Sequence, residues 1–116
     1  YTDAQKQAIG DEGNTIYRDL VDALEAGKSP TGNKVQAILA RWHQHLRYFY
    51  EPPTEVLRGL GDLYTTHPDF IKNFAKLHPD LGEFMKQGIN VYVDALEDAE
   101  LSRLLAEDER RLADEE

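Results

Sequence analysis

The sequence predicts an all-α domain of about five helices. Three observations carry that prediction: apolar side chains recur at spacings of three and four residues, no stretch alternates apolar and polar over the length of a strand, and Pro, Gly and capping residues fall between the periodic stretches. At 116 residues the chain is long enough for one core and too short for two.

The first helix is signalled by Thr2-Asp3-Ala4-Gln5, a capping-box pattern. Ile9, Ile16, Leu20 and Leu24, joined by Tyr17 and Val21, make its apolar side. Gly10 and Gly13 each cost about 1 kcal/mol relative to Ala inside a helix, so the segment before Asn14 is expected to fray or form a separate turn. Gly27 closes this helix as a natural residue for the left-handed position. Ser29 and Pro30 are then expected to cap and start the next one.

That second helix is the anchor of the chain. Val35, Ile38, Leu39, Trp42, Leu46 and Phe49 follow helical spacing around the only Trp, and Pro52 and Pro53 are expected to stop it. Thr54 and Glu55 suit the start of a third helix, with Val56, Leu57, Leu60, Leu63 and Tyr64 as its apolar face. A Pro-containing link between the two predicts a corner.

Two His-Pro-Asp triplets follow, His67-Pro68-Asp69 and His78-Pro79-Asp80. Pro in the first helical position followed by an acid is a helix-start pattern. The first should open a short helix bearing Phe70, Ile71, Phe74 and Leu77. The second should open a longer one bearing Leu81, Phe84, Met85, Ile89, Tyr92 and Leu96. The same triplet marks the J-domain co-chaperones, but their basic helices are missing here. From Glu97 onward nine acids face three arginines. This tail also holds Leu101, Leu104, Leu105 and Leu112 without Pro or Gly, and is expected to be helical, either packed through its leucines or extended as an acidic arm.

The composition narrows the function. A net charge of −9 argues against nucleic-acid binding by this piece, because affinity for phosphates comes from clustered Lys and Arg. No apolar run approaches the roughly 20 residues of a membrane span, and the absence of cysteine fits a reducing compartment, so cytoplasm is the expected location. Beginning at Tyr1 instead of Met suggests a piece of a longer or processed protein.

No catalytic or metal constellation is expected, and hence no enzyme and no cofactor. His43 and His45, two residues apart on a helix, point to different sides, whereas helical ligand pairs share a face at three or four. Ser29 and Ser102 lack a nucleophile's surroundings. The aromatic residues are more telling. Trp42, Phe49, Phe74 and Phe84 are expected to fill the core, while Tyr48 and Tyr50, beside the double proline, suit a partly open apolar cleft for an amphipathic organic ligand.

Three ordered blocks, the run from Ser29-Pro30 through Arg41-Trp42 to Leu46, then LRGLGDLYTTHPDF, then PDLGEFMKQGINVYV, resemble the TipAS family, the antibiotic-recognition domains of TipA-like regulators of the MerR type. The resemblance covers roughly Leu20 to Leu96. It implies a globin-like helical fold without haem and a ligand-binding domain over 1–96; the acidic tail over 97–116 is an extension that the family pattern does not explain. It also implies an N-terminal winged-helix DNA-binding domain outside this piece and a homodimer through an upstream coiled coil. The implied ligand is an amphipathic small molecule or peptide antibiotic. Candidate ligand-binding residues on this reading are Trp42, Leu46, Tyr48, Phe49, Tyr50, Gly59, Leu63, Tyr64, Phe74 and Tyr92. Residues 1–26 are the expected mobile lid, and an acidic rim would favour cationic ligands. In the thiopeptide-binding member a cysteine near Gly59 bonds the ligand covalently; this chain has no cysteine, so that capture is excluded. The rival reading is an acidic helical module that docks a protein partner.

Overall fold

The computed structural model describes residues 1–115; Glu116, the last residue of the expected acidic tail, lies outside them. Five helices and no strand make up the described residues: α1 (Asp3–Glu25), α2 (Asn33–Leu46), α3 (Thr54–Thr66), α4 (Pro68–Leu77) and α5 (Leu81–Glu115).

The glycines do not interrupt α1. Its capping box is complete, with Thr2 Oγ1 accepting from Gln5 N–H and Gln5 Oε1 accepting from Thr2 N–H. Gly13 is buried against the His45 ring, so tertiary packing offsets its weak propensity. Gly27, at φ +73°, ends the helix as expected.

The start of α2 differs from the expectation. Ser29 and Pro30 form a turn, in which Ser29 Oγ accepts from Thr31 N–H, and the helix begins at Asn33 behind Gly32. The turn is tied to α5, because the Gln36 amide donates to Pro30 O at 3.1 Å and to Gly88 O at 3.0 Å. The end differs too. After Leu46 the N–H groups of Arg47, Tyr48 and Phe49 bond three residues back, a tightening that rotates Phe49 off the apolar stripe. Phe49, expected in the core, is 66% exposed.

Of the two triplets only the first opens a helix directly, His67 accepting from Asp69 N–H ahead of Pro68. At the second, His78 Nδ1 accepts from Asp80 N–H and Leu81 N–H bonds His78 O, so Pro79 and Asp80 occupy a turn and α5 starts one step later.

The core is built by Ile16 and Leu20 of α1, Val35, Leu39 and Trp42 of α2, Leu57 of α3, and Leu81, Met85, Ile89 and Val93 of α5, each almost fully buried. α3 lies antiparallel on α5: Tyr64 meets Gly82, Asp62 meets Lys86 at 3.7 Å, and Arg58 meets Asp94 at 2.7 Å. α4 is different in kind. Phe74 is its one buried residue, while Ile71 and Leu77 stay exposed. No helix among the described residues is long and apolar enough to cross a membrane.

Candidate functional site

Phe74 sits on an aromatic cluster between α1, α3 and α4. Its ring meets Tyr64 edge-on at 4.6 Å between centroids and Tyr17 at 5.7 Å, and Phe70 completes the group 5.2 Å from Tyr64. Such offset and edge-on pairs add about 0.5–1.5 kcal/mol each beyond area burial. Trp42 of α2 lies behind them. Its indole is buried against the phenols of Tyr17 and Tyr64, with Nε1 shut off from the surface.

Recesses open on either side of α4. One, of about 370 Å³, lies between α1 and α4 and is lined by Asn14, Tyr17, Arg18, Val21 and Leu77. The other, of about 250 Å³, lies between α4 and the junction of α3 with α5, where Tyr64, Ile71, Phe74, Pro79, Gly82 and Glu83 line it. Burial raises the pKa of both Tyr17 and Tyr64, which keeps their phenols neutral and able to donate. Charge is divided, with Arg18 on the α1 side and Glu83 on the α5 side. Apolar side chains and the neutral phenols of Tyr17 and Tyr64 thus line the two recesses.

Of the residues picked from sequence, Tyr64 and Phe74 line these recesses, with Trp42 buried behind them, while Tyr50 is 44% exposed and lines neither. The others are dispersed. Leu46 packs on the core. Tyr48 bonds Glu12 at 3.4 Å, and Phe49 lines a separate apolar recess of about 340 Å³ with Tyr1, Ile9 and His45. Gly59 and Leu63 lie on the outer side of α3, where a Cβ on Gly59 would meet nothing within 4 Å and Leu63 is 40% exposed. Tyr92 belongs to another pair: its hydroxyl meets His43 Nδ1 at 2.8 Å. Burial, assisted by Arg47, lowers the His43 pKa.

Tyr17, Val21 and Phe70 were legible only as core stripe, and Asn14 and Arg18 carried no signal, because a cleft between helices distant in sequence cannot be seen in either helix alone. His45 donates to Ile9 O at 2.8 Å, so the two central histidines serve different partners. No group of three or more His, Cys, Asp or Glu that could hold a metal occurs among the described residues.

The family model of the TipAS antibiotic-recognition domain matches residues 1–92. The chain belongs to the TipAS family. Two curated relatives also match. The HTH-type transcriptional activator mta of Bacillus subtilis (strain 168) is 27% identical over 84 residues, 72% of this chain and 32% of the relative. The HTH-type transcriptional regulator SkgA of Caulobacter vibrioides (strain NA1000 / CB15N) is 30% identical over 84 residues, 71% of this chain and 33% of the relative. The TipAS chain thus spans about a third of the length of these curated relatives. No solved structure matches it. The family match covers all four walls of the α4 recesses and ends before the distal part of α5.

Proposed function

We propose that this TipAS domain is the effector part of a cytoplasmic MerR-type transcriptional regulator. On this reading it binds an amphipathic antibiotic or other xenobiotic without covalent chemistry and performs no catalysis. The DNA-binding winged helix and a dimerising coiled coil belong to the remainder of such a protein. The observation that carries the reading is the pair of recesses around α4, floored by Tyr17, Tyr64 and Phe74. The family's description and the relatives' names supply the regulatory context.

Signalling requires a conformational equilibrium that ligand biases through different affinity for the two states. α4 is the element suited to move, since one buried side chain holds it and His-Pro-Asp punctuation bounds it at both ends. α1, the expected lid, is fastened by Arg41–Asp19 at 2.7 Å and by His45 on Ile9 O. It serves as the fixed wall against which α4 closes.

A thermal-shift screen with thiopeptides, albicidin-like compounds and cationic amphiphiles tests the reading. A ligand at 100 times its dissociation constant stabilises by about 2.7 kcal/mol. A hit should raise amide protection in residues 68–77 and lose affinity in Tyr17→Phe. A screen in which no compound moves the melting temperature would remove the drug-sensing reading.

A further inference from the structure

The distal half of α5 is unaccounted for by the core, the cleft or the family match. Residues 97–114 are all exposed, and the matched region stops at residue 92. Leu101, Leu105 and Leu112 are nonetheless 56%, 55% and 60% exposed. On a 3.6-residue helix they fall on one stripe, with Leu104 along its border. A run of bare leucines on a projecting helix marks a surface that is covered in use.

The stripe lies about a quarter turn round α5 from the face that α3 covers. Arg58 of α3 meets Asn90 at 3.3 Å, Asp94 at 2.7 Å and Glu97 at 3.3 Å. Steps of three and four from Asn90, Asp94 and Glu97 lead directly to Leu101, Leu105 and Leu112. α3 itself packs on Gly82, Lys86 and Ile89, so the leucines continue the exposed edge of α5 that the long Arg58 side chain reaches round to. α3 begins at Thr54, so its cover ends near Glu97. Charge gives the chemistry of what would cover the stripe. Asp98 and Glu109 border one edge of the stripe and Glu97 and Asp108 the other, where Arg111 also lies beside Leu104, 2.9 Å from Asp108; Arg103 and Arg110 fall on the opposite side of the helix. Arg103 is further occupied along its own helix, 2.6 Å from Glu107.

We infer that the arm docks a basic amphipathic helix of a partner, its apolar residues on Leu101, Leu105 and Leu112 and its Lys or Arg side chains on the acidic edges. Arg58 already shows that chemistry within the molecule. A second copy of the arm fits worse, since it would set these acidic edges against each other.

The test uses the full chain and two synthetic 21-residue-scale helices with the same leucine heptads (roughly three heptads each), one flanked by lysines and one by glutamates. The lysine peptide should bind, weaken at least tenfold in Leu101→Gln/Leu105→Gln, and weaken with added salt. Asp98→Lys/Glu109→Lys should exchange the preference and accept the glutamate peptide. Unchanged melting temperatures of both variants would show that the body remains folded. Equal binding of the two peptides, no binding of either, or insensitivity to the leucine substitutions overturns the inference. So does a dimer in sedimentation equilibrium that Leu105→Gln abolishes, which would assign the stripe to a second copy.

Discussion

A Cβ on Gly82 would lie 2.9 Å from the carbonyl oxygen of Tyr64, so the end of α3 and the start of α5 touch backbone to backbone beneath the α4 recess. At Gly88 the corresponding atom would lie 2.9 Å from both Pro30 O and Leu39 Cδ1. Gly82→Ala and Gly88→Ala should each destabilise by about 1–3 kcal/mol despite the better helix propensity of Ala. Gly10 and Gly59 have nothing within 4 Å of such a Cβ. There the same substitution should stabilise by about 0.5–1 kcal/mol. Urea unfolding of the four variants checks the contrast, and a uniform sign would contradict the packing described.

His43 should make stability depend on pH. Its folded pKa lies below the ordinary 6.5, because burial and Arg47 disfavour the charged ring. The unfolded chain consequently binds the proton more readily, and stability falls as pH drops below about 6.5, through the folded pKa. His43→Gln, which can still meet the Tyr92 hydroxyl, should flatten that slope between pH 7 and 5. Melting temperatures across the range for both proteins provide the measurement.

Phe74 is the bolt of α4. Phe74→Ala should cost about 3–5 kcal/mol if all five helices unfold together. If α4 opens on its own, the global loss is smaller and the change concentrates in amide exchange over residues 68–77. Hydrogen exchange read alongside urea unfolding separates the two, and exchange that rises evenly along the chain would argue against an independently opening α4.

His45 connects the end of α2 to the first half of α1, donating to Ile9 O with its ring against Gly13. His45→Ala should loosen residues 3–12 and cost about 1–3 kcal/mol, within the usual range for a lost partly buried hydrogen bond and its packing. Exchange rates unchanged in that segment would place the anchor of α1 elsewhere.

The helices were legible because apolar periodicity and caps are local signals, as at Thr2 and Pro68. What failed was equally physical. Gly13 reads as a defect until the His45 ring it admits is in view, and Phe49 reads as core until the final turn of α2 tightens. The cleft was half legible: Trp42, Tyr64 and Phe74 stand out as aromatic, whereas Arg18 and Asn14 become relevant only because α1 lies across α4. The second His-Pro-Asp triplet shows the limit of a motif, since the same three residues open α4 but merely precede α5.

α5 runs without a break from Leu81, just ahead of Gly82 and Glu83 on the wall of the recess, to Glu115 at the far end of the arm. A rod of 35 residues, rising about 1.5 Å per residue, is about 52 Å long. A tilt of about 5° at Gly82 would swing its tip by about 4 Å on that geometry. The recess and the arm thus lie along one continuous helix, so that any tilt near Gly82 would be carried along its length to the exposed leucines.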